Sequence, residues 1–162
     1  MRYIITIDQR TSSSKALLFD EKLNLVSHRI IPHRIFPPKD DWAEADAEEI
    51  YRNTIEAIRQ LDLPVTADNT FSLSIVNQRE TFVIWDRTTG KPVYHAVMWQ
   101  CRRGAAFCQS IVEQGLETAL RERTGLVPDP YFSASGVKWV LDNIESVRER
   151  AERGNLLFGT ID

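Results

Sequence analysis

The sequence contains few cysteines. It has two, Cys101 and Cys108, in a chain of 162 residues. On a helix, their spacing of seven places both on one face two turns apart, which is too far for a disulfide. No histidine cluster accompanies them, so the pattern does not indicate a zinc site. We therefore expect two reduced thiols and a cytoplasmic location.

The sequence also lacks an excess of positive charge and long hydrophobic runs. Its 20 Lys and Arg residues are outnumbered by 23 Asp and Glu residues, which argues against a nucleic-acid partner. The first apolar run, Tyr3–Ile7, breaks at Asp8 and is too short for a signal peptide or a membrane span. With 43% hydrophobic residues, the chain has enough apolar side chains for one domain with a core.

Several common site motifs are missing as well. There is no Walker A sequence, no dinucleotide-binding GxGxxG and no GxSxG nucleophile elbow. The three histidines, His28, His33 and His95, lack the spacing of a triad or a metal site, and we expect them to be neutral surface or strand residues.

The hydrophobic pattern predicts an α/β fold. Three short strands, Tyr3–Ile7, Ala16–Phe19 and Leu25–Ile31, are joined by turns too short for helical crossovers, so they form an antiparallel meander. A helix capped by Asp46 follows and is expected to end at Pro64. Further elements are predicted as strands Phe71–Val76 and Phe82–Trp85, an extended segment Val93–Trp99, helices over 103–114, 117–123, 137–144 and 147–151, and an extended segment from Leu156. This order is compatible with one ribonuclease-H-like domain.

The turn after the first strand is a candidate phosphate site. Asp8 ends that strand, and a carboxylate there can hold a metal-bound phosphate. The turn that follows offers hydroxyls and backbone N–H groups for phosphoryl oxygens, and a cation: Thr11, Ser12, Ser13 and Lys15. The alternative is an ordinary hairpin, because serine and threonine favour turns anyway.

Three later segments are candidates for binding a polar substrate. Arg79 and Glu80 follow a strand that is predicted to be buried. The guanidinium of Arg79 offers donors and the carboxylate of Glu80 offers acceptors, so together they could bind the vicinal hydroxyls of a polyol. The alternative is a local ion pair between them. Trp99 could form an apolar wall beside a sugar or simply belong to the core. Tyr131 lies in a proline-containing loop, where it could donate to a substrate or only anchor the loop. Arg102 and Arg103 are expected at a helix start or on the surface.

These segments occur in the order seen in glycerol kinases of the FGGY carbohydrate kinase family, which the chain resembles throughout. The resemblance is carried by the following stretches: Ile4–Thr11, Ile75–Thr81, Trp99–Arg103, Asp129–Ser133 and Leu156–Thr160. It implies an actin-like ATPase fold, with the whole chain as an N-terminal kinase domain and a second, nucleotide-binding domain beyond it. It also implies transfer of the ATP γ-phosphoryl group to a terminal hydroxyl of glycerol or a similar polyol, with Mg2+.

The resemblance also implies residue roles. Arg79, Glu80 and Tyr131 would hold glycerol hydroxyls, and Trp99 would line the same pocket. Asp8 would bind the metal ion, and the phosphates would be bound by Thr11, Ser12, Ser13 and Lys15. The general base is expected in the part of the kinase that this chain does not contain, so the chain is expected to be inactive alone. The resemblance leaves room for a homo-oligomer.

Two departures from the family pattern affect these expectations. Arg10 stands where the family has glycine, which permits positive φ and close approach of a phosphate. We expect arginine to restrict the turn and to weaken or alter nucleotide handling, and we expect Arg10→Gly to restore phosphate binding. Ala134–Gly136 replaces Gly-Thr-Lys, so a cation near the site is missing. The alternative function is a catalytically inactive polyol-binding or scaffolding module.

Overall fold

A computed structural model of the protein describes residues 2–62 and 66–162. The described residues form two compact units, which we treat separately. The first comprises Met1–Ile35, Ala45–Arg79 and Thr160–Asp162, and the second Phe36–Glu44 and Glu80–Gly159. In chain order the elements are β1 (Tyr3–Gln9), β2 (Ser13–Phe19), β3 (Leu25–Pro32), β4 (Ile35–Phe36), β5 (Glu44–Ala45), α1 (Ala47–Arg59), β6 (Thr70–Asn77), β7 (Phe82–Asp86), β8 (Ala96–Val97), α2 (Ala105–Glu113), α3 (Glu117–Thr124), α4 (Ser133–Asn143), α5 (Val147–Glu152) and β9 (Leu156–Thr160).

The first unit is built on a mixed sheet of order β3-β2-β1-β6. β1, β2 and β3 are antiparallel neighbours, as predicted, and β6 is parallel to β1. The turn between β2 and β3 is closed by Asp20, whose Oδ1 accepts hydrogen bonds from the backbone N–H groups of Lys22 and Asn24, each at 2.9 Å. The prediction of an α/β fold that begins with a three-strand meander is therefore confirmed.

Helix α1 covers one face of this sheet. Alternate residues of β1 and β2 point to that face, since side chains alternate along a strand. They pack against the helix in one cluster of buried apolar residues: Ile5, Ile7, Ala16, Leu18, Ala57 and Leu61. The packing of α1 on β2 and β3 fixes the strand ends where β1 turns into β2.

The start of α1 agrees with the sequence, whereas the helix ends earlier than predicted. Asp46 is the N-cap, and its Oδ1 accepts from the backbone N–H of Glu48 at 2.9 Å. Glu49 does not complete a capping box; its carboxylate lies 3.7 Å from the guanidinium of Arg34. The helix ends at Arg59, and the predicted stop at Pro64 falls outside the described residues.

In the second unit the helices and short strands follow the predicted order, with two corrections. The extended segment predicted over Val93–Trp99 contains only the two-residue strand β8, because the chain bends at Val93 and Tyr94 and turns again at Trp99. The helix predicted from Arg103 begins at Ala105. The two-residue strands β4 and β5 were not predicted; they belong to a second sheet of order β4-β5-β8-β7-β9.

Gly136 in α4 is required by close packing. A Cβ atom placed on it would lie 2.7 Å from Cε1 of Phe82, a ring that is only 2% exposed. The lysine that the family pattern has at this position would therefore overlap the ring unless the local structure moved. Close packing against Phe82 therefore accounts for a residue without a side chain at this position.

We expect Gly136→Ala to lower the free energy of unfolding by about 1–2 kcal/mol, because overpacking outweighs the better helix propensity of alanine. Urea denaturation followed by circular dichroism measures the change. Phe82→Leu should recover part of the loss, so that the double variant is less destabilised than the sum of the single ones. If the stability losses of Gly136→Ala and Phe82→Leu simply added in the double variant, the proposed contact between the two positions would be contradicted.

Cys101 and Cys108 are both free and buried. Burial raises the pKa of the Cys108 thiol, which keeps it protonated. Among the described residues, no helix combines the length and apolar character needed to cross a bilayer.

Candidate functional site

The turn between β1 and β2 brings the predicted phosphate-binding residues together in the first unit. The backbone N–H of Arg10 donates to the carbonyl of Ser13 at 2.9 Å, which closes the turn. Asp8 lies directly opposite Lys15 in the antiparallel ladder. The carboxylate of Asp8 accepts a hydrogen bond from Nε of Arg10 at 2.6 Å. The strain expected at Arg10 is absent, since it is not among the non-glycine residues with positive φ.

Two side chains missed by the sequence interpretation hold this turn from outside. His33 is buried, and its Nε2 lies 2.9 Å from the carbonyl oxygen of Thr11, to which it donates. The amide of Gln78 donates to the carbonyl of Arg10 at 3.0 Å. The expectation of a surface or strand histidine is therefore wrong for His33. The carbonyl of Thr11 points into the fold and needs a buried hydrogen-bond donor, which His33 provides.

A buried polar chain connects the turn to helix α1. Nε2 of Gln9 donates to Oγ1 of Thr54 at 2.7 Å, and Oγ1 of Thr54 lies 3.1 Å from Oγ of Ser14. Gln9 and Ser14 are both buried. The sequence signal for this contact was the position of Thr54 on the apolar stripe of α1, which places its hydroxyl against the sheet.

Glu80 is the first residue of the longer segment of the second unit, Glu80–Gly159, and its carboxylate binds the N-terminus of α4. Its Oε2 accepts from the backbone N–H of Ser133 at 2.9 Å and from Oγ of the same residue at 3.1 Å. A carboxylate at a helix N-terminus is stabilised by the helix dipole and satisfies an otherwise unpaired N–H. Glu80 adopts φ of 69°, a left-handed conformation that is costly for a residue with a side chain. The fold thus holds this carboxylate in a strained position.

Trp99 and Tyr131 lie beside each other in the same unit. Their ring centroids are 6.1 Å apart in an edge-on arrangement. Thr81 fixes Trp99, because its buried Oγ1 accepts from the Trp99 backbone N–H at 3.1 Å. Asp129 fixes the loop of Tyr131 by accepting from its backbone N–H at 2.8 Å. Trp99 stays 38% exposed, so it lies at the surface and is not a core residue.

Three of the four predicted substrate-binding residues therefore belong to one small region. Glu80 binds Ser133, which lies two residues after Tyr131, and Tyr131 packs against Trp99. The region offers an anionic acceptor, a phenol and an aromatic face, a combination that suits a small polyhydroxylated molecule. Arg79 is exposed and belongs to the first unit.

Arg103 directly precedes Gly104, the N-cap of α2, as expected for a residue at a helix start, but the alternative expectation of a surface position is wrong. Its side chain is fully buried and pairs with Glu44 at 2.5 Å. Three aromatic rings surround the guanidinium, with centroids at 4.4 to 5.5 Å: Trp42, Trp139 and Tyr94. Arg103 also donates to Sγ of Cys101 at 3.1 Å, so this cluster anchors the segment that follows Trp99.

Comparison with known proteins identifies the family of the chain. Residues 3–162 match the N-terminal domain of the FGGY family of carbohydrate kinases. The chain belongs to that family. Among characterised relatives, it is 48% identical to glycerol kinase 1 of Thermotoga maritima over 162 residues, and 48% identical to the glycerol kinase of Shewanella halifaxensis over 165 residues. Each match covers 99% of this chain and 33% of the relative.

Solved structures of FGGY-type kinases share the fold. The glycerol kinase of Plasmodium falciparum, determined with ADP, superposes with a TM-score of 0.90 at 32% identity, over 99% of this chain and 33% of that one. Xylulose kinase of Lactobacillus acidophilus superposes with a TM-score of 0.80 over 92% of this chain and 30% of that one, but at 18% identity, which supports the fold alone. The chain thus spans about a third of the length of these relatives.

Proposed function

We propose that this chain forms the polyol-binding part of an ATP-dependent kinase that converts glycerol to glycerol 3-phosphate. The observation that carries the proposal is the cluster of Glu80, Trp99 and Tyr131 in one unit of a family member similar to glycerol kinases. The P. falciparum relative determined with ADP supports ATP as the phosphoryl donor. A cytoplasmic location is part of the same proposal.

The cluster suggests how a polyol would be held. Oε2 of Glu80 is bound by Ser133, and a carboxylate has further acceptor capacity on its other oxygen, Oε1, for a substrate hydroxyl. The phenol of Tyr131 would donate to or accept from a second hydroxyl, and Arg79 would contribute donors. The face of Trp99 would cover the C–H groups of the carbon chain. Phosphoryl transfer depends mostly on such positioning and on charge neutralisation.

The hairpin residues Thr11, Ser12, Ser13 and Lys15 would receive the phosphates. Magnesium would arrive with the nucleotide. The fit of a metal ion to Asp8 is poor, because Arg10 already binds its carboxylate.

Glycerol binding by the chain tests the proposal directly. In a titration followed by NMR, we expect glycerol to shift the indole N–H signal of Trp99. Tyr131→Phe removes one neutral hydrogen bond and should weaken binding by about 2–10-fold. Tyr51→Phe, at a tyrosine that is 68% exposed on α1, is the matched control and should leave affinity unchanged. Equal effects of both variants, or no shift at Trp99, would contradict the proposal.

The alternative function is a polyol-binding module without catalysis. Glycerol-dependent ATP turnover by the same chain tests whether it is active alone, with Arg79→Ala as the control for contaminating kinase. We expect binding without turnover, since the general base is expected outside this chain. Turnover that disappears in Arg79→Ala would show that the chain is active alone.

A further inference from the structure

The turn between β1 and β2 carries more positive than negative charge. The segment Asp8–Lys15 contains one acidic residue and two basic ones, Arg10 and Lys15. Arg10 binds the carboxylate through Nε at 2.6 Å, and Lys15 is the direct cross-strand partner of Asp8. Residues directly opposite in an antiparallel pair have side chains on the same face, about 5 Å apart at Cβ. Asp8 is thus flanked by two cations.

The position of Arg10 is fixed by its backbone and not by its side chain alone. Its N–H donates to Ser13 and its carbonyl accepts from Gln78, at 2.9 and 3.0 Å. The carbonyls of the next two residues are bound as well. Nε2 of His33 donates to Thr11, and the backbone N–H of His33 donates to Ser12. The guanidinium is therefore presented from a held turn, while its side chain stays 63% exposed.

This arrangement does not fit a divalent cation. Kinases bind Mg2+ through one or two carboxylates and the substrate phosphates, so Asp8 is of the right type. Its carboxylate, however, already accepts from a cation, and a second cation lies opposite. Within residues 2–62 and 66–162, no group of three or more histidine, cysteine or acidic side chains could hold a metal. The local charge favours an anion.

We infer that Arg10 takes the place of a metal ion on Asp8, so that the hairpin binds a terminal phosphoryl group directly through Arg10 and Lys15. Nε of Arg10 neutralises the carboxylate, and its four remaining N–H donors are available for phosphoryl oxygens. Asp8 then orients the guanidinium instead of coordinating a metal. The identity of the ligand as a nucleotide phosphate rests on the proposed function.

The test uses two simple probes on the complete chain: tripolyphosphate in the presence of EDTA, and Mn2+ alone. We expect the chain to bind tripolyphosphate without metal, and Arg10→Gly to weaken that binding about tenfold, as for the loss of a hydrogen bond to a charged group. This is the opposite of the gain expected from the sequence, because Arg10 does not strain the turn and presents its guanidinium beside Asp8. We expect Mn2+ to broaden the hairpin amide signals in Arg10→Gly but not in the unchanged chain. Asp8→Asn should abolish the broadening gained by Arg10→Gly.

Arg34→Gly is the matched control, since Arg34 is an exposed arginine of the same unit whose nearest acidic partner lies 3.7 Å away. It should leave both probes unaffected. Unchanged tripolyphosphate affinity in Arg10→Gly, or equal Mn2+ broadening with and without Arg10, would overturn the inference. Neither probe involves glycerol. Glycerol binding at Trp99 without these effects would therefore reject only the inference, and these effects without glycerol binding would reject only the proposed polyol function.

Discussion

Replacing Arg103 with methionine is expected to lower the free energy of unfolding by about 3–5 kcal/mol, the range found when one partner of a buried ion pair is removed. The Arg103 side chain is fully buried and that of Glu44 is 4% exposed. Without the guanidinium, the carboxylate of Glu44 would remain buried with no counter-charge. Urea denaturation followed by circular dichroism measures the loss.

The aromatic rings around Arg103 add to this expectation. Trp42 and Trp139 lie 4.4 and 4.6 Å from the guanidinium carbon, and such contacts contribute about 2 kcal/mol when they are shielded from water. Arg103→Lys retains the charge but loses the planar fork and its stacking. We therefore expect Arg103→Lys to be destabilised less than Arg103→Met but clearly more than a surface substitution.

A second substitution separates the ion pair from simple packing. Glu44→Gln removes the uncompensated charge and keeps an oxygen for the hydroxyl of Tyr94, which donates to Glu44 at 2.6 Å. Burial, and then this hydrogen bond, raise the pKa of the Tyr94 phenol, so that it remains a donor. The double variant Arg103→Met with Glu44→Gln should be more stable than Arg103→Met alone. If it is less stable, the loss in Arg103→Met comes from packing and not from an unpaired charge.

Arg103 also shows where prediction from the sequence fails. The sequence places it beside Arg102 before a helix, where two basic residues usually face solvent. Its partners come from residues far along the chain, and Glu44 belongs to a two-residue strand that has no recognisable period. The meander was predictable for the opposite reason, since its strands are joined by turns whose residues are adjacent in the sequence.

The candidate site was predictable in its residue types but not in its contacts. Glu80, Trp99 and Tyr131 were selected because polar groups at a strand end and aromatic residues in loops suit a polyol. The binding of Glu80 to the N-terminus of α4 depends on a left-handed φ, which the sequence around a glutamate does not indicate. The pairing of Arg10 with Asp8 was also unforeseen, although the departure from glycine at this position was recognised.

The second large effect is expected at Glu80, which has both a structural and a proposed binding role. Glu80→Gln keeps a carbonyl oxygen for the two hydrogen bonds from Ser133 but removes the charge at the N-terminus of α4. The free energy of unfolding should fall by about 0.3–1 kcal/mol. Glycerol should bind about tenfold more weakly, because a hydroxyl donates more weakly to a neutral acceptor than to a carboxylate. Calorimetric titration measures the second effect.

Two further substitutions at Glu80 distinguish its roles. Glu80→Ala removes the helix cap and should cost about 1–2 kcal/mol of stability, while abolishing measurable glycerol binding. Glu80→Gly also removes the carboxylate, but glycine adopts the observed φ of 69° without strain, so this variant should be more stable than Glu80→Ala and bind glycerol no better. Across these variants, glycerol affinity would then depend on the presence of the carboxylate and not on the free energy of unfolding. If glycerol affinity instead followed stability across the three variants, with Glu80→Gln binding as the unchanged chain does, Glu80 would act only by holding α4 and Tyr131 in place.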